Sequence, residues 1–212
     1  MKDKEPTVYV VDDDPSVTKG LERLLRSATY EVETFASAQA FLQAGPPSSG
    51  PACLILDVKM PGLNGLELQE RLQLRGFAMP IVFITGHGDI PMSVRAIKTG
   101  AIDFLTKPFD EVNLLTAVEE SLRRNAEVRF KKDERDNILE RFKSLTPREY
   151  EILTYIITGM LNKQIAYTLD ISEKTVKVHR GRVMEKIGID SVAELVRLAD
   201  KANIEPAQVP DL

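Results

Sequence analysis

The first half of the chain alternates short apolar runs with segments of helical periodicity, and this alternation restricts the fold more than any other feature. Four runs are rich in aliphatic residues, and the second run along the chain is more polar, as expected for a strand at the edge of a sheet. Strands alternating with helices in this way predict a parallel sheet that is covered on both faces. The predicted strands are Thr7–Val11, Tyr30–Phe35, Ala52–Leu56, Pro80–Ile84 and Ile102–Leu105, and the predicted helices lie at about 15–27, 37–43, 65–74, 90–99 and 111–129.

The second half has no strand pattern, and its apolar residues recur with helical spacing. We predict four helices, at about 147–158, 162–169, 173–187 and 191–202. The first of them opens with Thr146-Pro147-Arg148-Glu149, in which Thr at the N-cap, Pro at N1 and Glu at N3 form a capping box. Residues 125–143 are charged and helix-prone with few apolar side chains, which indicates a helical linker between two domains.

Composition limits the cellular setting and the kind of partner. No apolar run approaches the roughly 20 residues needed to span a membrane, and the single cysteine, Cys53, lies in an apolar run where we expect it to be buried. These features predict a protein of the reducing cytoplasm with no membrane partner. The net charge is −4, yet residues 172–187 carry five basic side chains against two acidic ones, which favours a small, specific anionic surface as a partner.

Polar residues stand where four of the predicted strands end. Asp12 and Asp13 follow the first strand, Asp57 the third, Thr85 the fourth and Lys107 the fifth. Ligands of open parallel sheets bind at the carboxyl ends of the strands, so we expect these side chains to converge. Asp14, which precedes Pro15, is instead predicted to be a helix N-cap.

The predicted cluster has the composition of a phosphoryl-transfer site. Three neighbouring carboxylates raise one another's pKa unless a cation lies among them, and an anionic site made of oxygen ligands suits Mg²⁺. Lys107 adds a second positive charge and Thr85 a hydroxyl donor, so Asp57 could attack a phosphoryl group whose charge is neutralised. Singly, each of these residues is typical of a turn or a cap; together they indicate chemistry.

The same segments resemble the signature segments of receiver domains: Val10–Asp14, Leu56–Gly62, Phe83–Asp89 and Lys98–Phe109. The resemblance implies a flavodoxin-like, doubly wound α/β domain with a five-stranded parallel sheet, which we place at residues 1–124. It further implies that Asp57 is the phosphoacceptor and that Asp12, Asp13, Asp57 and the backbone carbonyl of Lys59 bind Mg²⁺. Thr85 and Phe104 match the hydroxyl and aromatic switch positions of the family.

A phosphatase of the haloacid dehalogenase type also combines a nucleophilic Asp with Mg²⁺. That family places a second Asp, its general acid and base, two residues after the nucleophile. Lys59 occupies that position here. The sequence therefore favours a phosphorylated switch over a turnover enzyme.

The C-terminal half resembles the LuxR/NarL/FixJ type of helix-turn-helix through Leu145–Glu149, Gly159, Asn162–Ala166 and Ile171–His179. We predict a small all-α domain at residues 144–212, following a linker at 125–143. Helical spacing predicts that Leu161, Ile165 and Leu169 share a core with Val176, Val183 and Ile187, and Ser172 is predicted to cap the next helix. The expected DNA-binding residues on that helix are Lys174, Thr175, Lys177, Val178, Arg180 and Arg182.

By correspondence with the family, base contacts fall on Lys177, Val178 and Gly181. The glycine departs from the longer side chains that are frequent at this position. It either allows a close approach to the DNA groove or leaves recognition to Arg180 and Arg182. Both possibilities are open at the level of sequence.

The combined resemblance implies a phosphorylation-gated transcription regulator. Its expected partners are a sensor histidine kinase, double-stranded promoter DNA and, once it is phosphorylated, a second copy of itself. The last helix of the family, here Ser191–Ala202, usually forms the dimer contact on DNA. The alternative is a receiver signalling module that acts through protein–protein association without sequence-specific DNA binding.

Overall fold

A computed structural model describes residues 5–45, 50–77, 79–86, 97 and 100–208 of the 212-residue chain. The chain divides into two compact units, Met1–Arg129 and Phe130–Leu212. The helix predicted at 90–99 lies largely outside the described residues.

The first unit is built on a parallel sheet of five strands in the order β2-β1-β3-β4-β5. The prediction of a doubly wound parallel sheet is therefore confirmed, and the more polar second strand is at an edge. Strand bounds lie within about one residue of those expected from the alternation of apolar runs. The strands are β1 (Thr7–Val11), β2 (Glu31–Phe35), β3 (Ala52–Asp57), β4 (Ile81–Thr85) and β5 (Asp103–Thr106), and the helices α1 (Pro15–Ser27), α2 (Ala38–Ala44), α3 (Gly65–Leu74) and the N-terminal part of α4 (Glu111–Lys143).

Side chains of the central strands alternate between two apolar layers, because successive residues of a strand point to opposite faces. On one face, Tyr9 and Phe83 pack with Phe41 and Leu68 of the helices. On the other face, residues such as Val10 pack in a second cluster that includes Leu25 of α1 and Leu114 and Val118 of α4. Cys53 is fully buried in this second cluster, as predicted, and burial raises the pKa of its thiol.

Helix α1 ends in a main-chain motif that requires a left-handed residue. The Tyr30 N–H donates to the Leu25 carbonyl at 3.1 Å and the Thr29 N–H donates to the Arg26 carbonyl at 3.0 Å. This is the Schellman arrangement, which glycine usually completes. Here Thr29 occupies the left-handed position with φ of 69°, a strained conformation for a β-branched residue.

Helix α4 is one continuous helix of 33 residues that includes the whole predicted linker. Asn125, predicted to begin the linker, is buried in the first unit, where its Oδ1 accepts a hydrogen bond from the Ala52 N–H at 3.0 Å. Ile138 and Phe142 near the other end are buried in the core of the second unit. The segment thus contributes to the structure of both units.

The second unit contains the C-terminal part of α4 and helices α5 (Pro147–Ile156), α6 (Asn162–Thr168), α7 (Glu173–Ile187) and α8 (Val192–Lys201). The capping box predicted at Thr146 is present: the Glu149 N–H donates to Thr146 Oγ1, and Glu149 Oε2 accepts from the Thr146 N–H. No helix in the described part of the chain combines the length and apolar character needed to cross a membrane.

The predicted core of the second unit is correct except at Leu161. Ile165, Val176, Val183 and Ile187 are buried, and Leu169 packs against the same cluster. Leu161 is 69% exposed. It is the N-cap of α6 and not a helical residue, so its side chain does not continue the buried stripe that helical spacing assigned to it.

Candidate functional site

The acidic side chains meet where the strand order of the sheet reverses. β2 and β3 lie on opposite sides of β1, and a crevice forms at the carboxyl edge where successive connections leave on opposite faces. Asp12 follows β1 and Asp57 ends β3, and both are buried. One carboxylate oxygen from each of Asp12, Asp13 and Asp57 lies within 4.8 Å of the other two.

Lys107 joins two of these carboxylates. Its Nζ lies 2.6 Å from Asp12 Oδ2 and 3.1 Å from Asp57 Oδ1. The residue is positioned by its own backbone, since the Lys107 N–H donates to the Thr85 carbonyl at 2.7 Å. The peptide bond from Lys107 to Pro108 is cis. The predicted convergence of Asp12, Asp13, Asp57 and Lys107 is therefore present in the structure.

The electrostatics of the site reflect crowding of negative charge in a buried space. Burial raises the pKa of Asp57, and the charges of Asp12 and Asp13 act in the same direction, although Lys107 opposes them. For Lys107, burial favours the neutral amine, but hydrogen bonds to Asp12 and Asp57 prevail and raise the pKa. An ionised cluster of three carboxylates and one ammonium retains two uncompensated negative charges, which is the charge that one divalent cation neutralises.

Asp14 has the structural role that was predicted for it. It caps α1 by accepting hydrogen bonds from the Ser16 hydroxyl at 2.7 Å and the Ser16 N–H at 2.8 Å. These bonds lower the pKa of Asp14, the hydroxyl bond most. Its own N–H donates to Asp12 Oδ1 at 2.9 Å and thereby helps to orient that carboxylate.

Thr85 and Phe104 lie on neighbouring strands at the same end of the sheet. Thr85 is buried and pairs in register with Thr106, whereas Phe104 pairs with Phe83. Because alternate residues of a strand share a face, Thr85 and Phe104 belong to the same face of the sheet. Phe104 is half-buried, and its ring centroid lies 6.3 Å from that of Phe83.

Gly65 is a residue of this site that the sequence analysis did not single out. It opens α3, and a Cβ added to it would lie 2.3 Å from the Asp57 carbonyl oxygen and 3.1 Å from Val58 Cα. The Gly65 N–H also donates to the Val58 carbonyl at 3.0 Å, which closes the loop that carries exposed Lys59. Only a residue without a side chain permits this approach of α3 to β3. A glycine directly after the capping residue Asn64 was the available signal.

The second candidate site is the outer face of α7. The turn before this helix is another Schellman motif, in which the Ile171 N–H donates to the Ala166 carbonyl at 3.0 Å and Asp170 is left-handed, with φ of 51°. Ser172 then caps α7 as predicted, accepting from the Thr175 N–H at 3.1 Å. The turn angle between α6 and α7 is therefore fixed by local hydrogen bonds.

The predicted DNA-binding residues differ in their surroundings. Lys174, Lys177, Val178 and Arg182 are exposed. Thr175 is half-buried, and its hydroxyl lies 2.8 Å from the hydroxyl of Ser172.

Arg180 is also half-buried, and it donates to Asn162 Oδ1 of α6 at 3.0 Å. The exposed residues Lys174, Lys177, Val178 and Arg182 form a cationic face away from the buried stripe of the helix.

The parallel sheet with an acid cluster and a lysine at its carboxyl edge defines the first unit as a response regulator receiver domain. The family model described as "Response regulator receiver domain" matches residues 8–119. A second, described as "Bacterial regulatory proteins, luxR family", matches residues 143–199.

The chain belongs to the response regulator family, in the group that joins a receiver to a LuxR-type regulatory domain. It is 46% identical to response regulator protein TmoT of Ectopseudomonas mendocina, over 95% of this chain and 91% of that protein. It is 45% identical to transcriptional regulatory protein FixJ of Azorhizobium caulinodans, over 94% of each chain. The solved structure of response regulator StyR is similar, with a TM-score of 0.86 and 53% identity over 93% of this chain and all of that one.

These relatives are response regulators and transcriptional regulators, not turnover enzymes. Together the two domains make the chain a two-component transcriptional regulator with a helix-turn-helix.

Proposed function

We propose that the chain is a cytoplasmic, phosphorylation-gated transcription factor. A sensor histidine kinase donates a phosphoryl group to Asp57, the phosphorylated chain dimerises, and the dimer binds promoter DNA through α7. In this proposal residues 1–124 form the receiver, 125–143 the linker and 144–212 the DNA-binding domain. Membership of the response regulator family supports the general scheme, and the side chains of the two sites support its details.

The observation that carries the phosphorylation proposal is the contact of Lys107 Nζ with both Asp12 and Asp57. A carboxylate oxygen of Asp57 forms the bond to phosphorus while the bond from phosphorus to the kinase imidazole breaks, and the imidazole leaves. In this step Lys107 neutralises charge on the equatorial phosphoryl oxygens, and the Thr85 hydroxyl donates to one of them.

Asp12, Asp13, Asp57 and the carbonyl of Lys59 would hold Mg²⁺. The carboxylate oxygens of the three acids are the hard ligands that this ion prefers, and their mutual distances suit a shared cation. When bound, Mg²⁺ supplies the positive charge that lets a dianionic donor approach an acidic pocket.

Phosphorylation is tested on the full chain with acetyl phosphate as the donor. Intact-mass spectrometry should show one phosphate adduct when Mg²⁺ is present and none when it is chelated. Asp57→Asn should remove the adduct. Asp133→Asn, a matched change of an exposed acid on α4, should leave it intact. An adduct of equal yield on Asp57→Asn would disprove the assignment of the acceptor.

The proposed switch links the phosphoryl group to a dimer surface. If Thr85 moves toward a phosphoryl oxygen, the space it leaves can take the ring of Phe104, so two packings of one face exchange. The surface proposed for dimerisation comprises the helix predicted at 90–99, the strand predicted at 102–105 and helix residues 111–122. Light scattering with beryllium fluoride as a phosphate mimic should show a doubled mass, and Thr85→Ala should weaken this response.

For the DNA-binding proposal, Lys177 and Val178 contact bases, whereas Lys174, Arg180 and Arg182 hold phosphates. Thr175 serves at the N-terminus of α7, close to the DNA backbone. A dimer of helix-turn-helix units reads two half-sites whose centres lie about one helical turn apart, roughly 10 base pairs.

The division of roles is tested by salt titration on a duplex selected from a random pool and on a scrambled duplex. Lys177→Ala should reduce selectivity, with a cost of about 1–3 kcal/mol on the selected duplex. Arg182→Ala should weaken binding to both duplexes and lower the salt slope by about one unit. Lys19→Ala, an exposed lysine of α1, should change neither quantity.

The reverse pattern for Lys177 and Arg182 would refute the division of roles. Absence of binding to any duplex by the phosphorylated chain would favour a signalling module that acts through protein association.

A further inference from the structure

Helix α7 carries a glycine in the middle of its outer face. Gly181 is the ninth of fifteen residues, and it is exposed. At 100° per residue, it lies on the side opposite Val176 and Val183, next to Lys177 and Val178. A glycine at such a position lowers helix stability, because alanine and most other residues are better helix formers.

None of the described residues of the second unit requires a glycine here. Gly181 is not among the residues with positive φ, whereas Gly188, which ends the same helix, has φ of 71°. A Cβ added to Gly181 would meet no atom within 4 Å. The situation differs from that of Gly65, where a Cβ would collide with the backbone of Asp57. The described fold therefore gives no reason for a glycine at this position.

The surroundings of Arg180 and Arg182 bear on the other explanation that the sequence left open, which is recognition by these two arginines. Arg180 is half-buried and hydrogen-bonded to Asn162 of α6. Arg182 is exposed but lies about 100° around the helix from Gly181. Arg180 is therefore held by α6, and Arg182 points to another part of the outer face, so neither arginine fills the surface that Gly181 leaves bare.

We infer that Gly181 is the point at which the backbone of α7 comes closest to DNA, and that its lack of a Cβ determines recognition. With no side chain at this position, the helix enters the major groove deeply enough for Lys177 and Val178 to reach base edges. A Cβ at position 181 would hold the helix away from the groove. This inference rests on the proposed DNA binding, and it assigns Gly181 a specificity role based on shape.

The test compares the same substitution on two exposed helical glycines. Gly181→Ala and Gly20→Ala are made separately in the full chain; Gly20 lies in α1, and a Cβ there also meets no atom within 4 Å. Thermal stability is followed by calorimetry. DNA affinity is measured with acetyl phosphate and Mg²⁺, and again without them, on a duplex selected from a random-sequence pool by the unmodified protein.

Both substitutions should stabilise the protein: Gly181→Ala should raise the melting midpoint of the second unit by about 4–8 °C, and Gly20→Ala that of the larger first unit by a smaller amount. Gly181→Ala should nevertheless weaken binding to the selected duplex by about tenfold or more, as overpacking of a tight contact does. Gly181→Leu should weaken it further, and Gly20→Ala should bind like the unmodified protein.

Two results would overturn the inference. One is that Gly181→Ala binds the selected duplex within twofold of the unmodified protein. The other is that Gly181→Ala lowers the melting midpoint, which would mean that the fold itself needs the glycine. If the pool yields no enriched duplex with or without phosphorylation, the proposed function fails instead, so the two failures are distinguishable.

Discussion

Substituting Gly65 tests whether the backbone of Asp57 must be held by close contact with α3. In Gly65→Ala the new Cβ would begin 2.3 Å from the Asp57 carbonyl oxygen, so these atoms must separate by roughly 1 Å to reach ordinary contact. The atoms that the new Cβ would meet belong to the backbone of Asp57 and Val58, which cannot rotate away as a flexible side chain would. Overpacking of this kind costs about 1–3 kcal/mol of unfolding free energy.

The displacement should also reduce phosphorylation, because it acts on the residue that carries the acceptor carboxylate. A misplacement of about 1 Å at a reacting group can slow a reaction by about a hundredfold. We expect Gly65→Ala to lower the urea midpoint and to slow phosphate uptake from acetyl phosphate, followed by intact mass at fixed Mg²⁺. Gly20→Ala is the control, since its Cβ is unobstructed; it should be at least as stable as the unmodified protein and should react at the same rate. If Gly65→Ala unfolds and reacts like the unmodified protein, the close contact does not position Asp57.

Three further predictions concern stability. Thr29→Gly should stabilise the first unit by about 0.5–1 kcal/mol in urea unfolding, because it removes the backbone strain of a β-branched residue in the left-handed conformation. Thr29→Ala, which retains a Cβ, should stabilise the unit less, and equal stabilisation by the two variants would contradict the strain argument. Burial raises the folded-state pKa of Asp57, so the free energy of unfolding falls as pH rises from the ordinary aspartate pKa through the raised pKa. Asp57→Asn should therefore unfold at a higher urea concentration than the unmodified protein at pH 7 without Mg²⁺, and a lower urea midpoint would refute this. Lys186 Nζ donates a hydrogen bond to Glu149 Oε2 at 2.7 Å, and this bond, with that from the Thr146 N–H, lowers the pKa of Glu149 to about 2. The contribution of Glu149 to stability is therefore present above about pH 4.5 and is lost as pH falls toward 2, and acid unfolding of Glu149→Gln should lack this part of the pH dependence.

Local signals made most of the secondary structure predictable. Apolar runs located the strands, and Asp14, Thr146 and Ser172 located helix starts, because a capping side chain acts on backbone groups two or three residues away. The convergence of Asp12, Asp57 and Lys107 was also predictable, since parallel strands bring their carboxyl ends to one edge.

Contacts that depend on how a helix packs against another element were not predictable in this way. Asn125 reads as part of a polar linker, yet its amide oxygen bonds to Ala52, 73 residues away. The contact of Gly65 with Asp57 and the bond of Arg180 to Asn162 likewise depend on how elements pack. The prediction that Leu161 is a core residue was wrong for a related reason, because periodicity alone does not show whether a residue lies inside the helix or just before it.

The way α7 is held has a consequence for how such a protein can change over evolutionary time. Its angle to α6 is set by main-chain bonds at Asp170 and by the Ser172 cap, and its packing by Val176, Val183 and Ile187. The outward residues Lys174, Lys177 and Val178 take no part in either. Surface substitutions away from caps, turn hydrogen bonds and buried side chains usually change the free energy of unfolding by only about 0.5 kcal/mol. Under the proposed DNA binding, duplicated copies of the gene can therefore drift toward new operators through Lys177 and Val178 without first losing the fold.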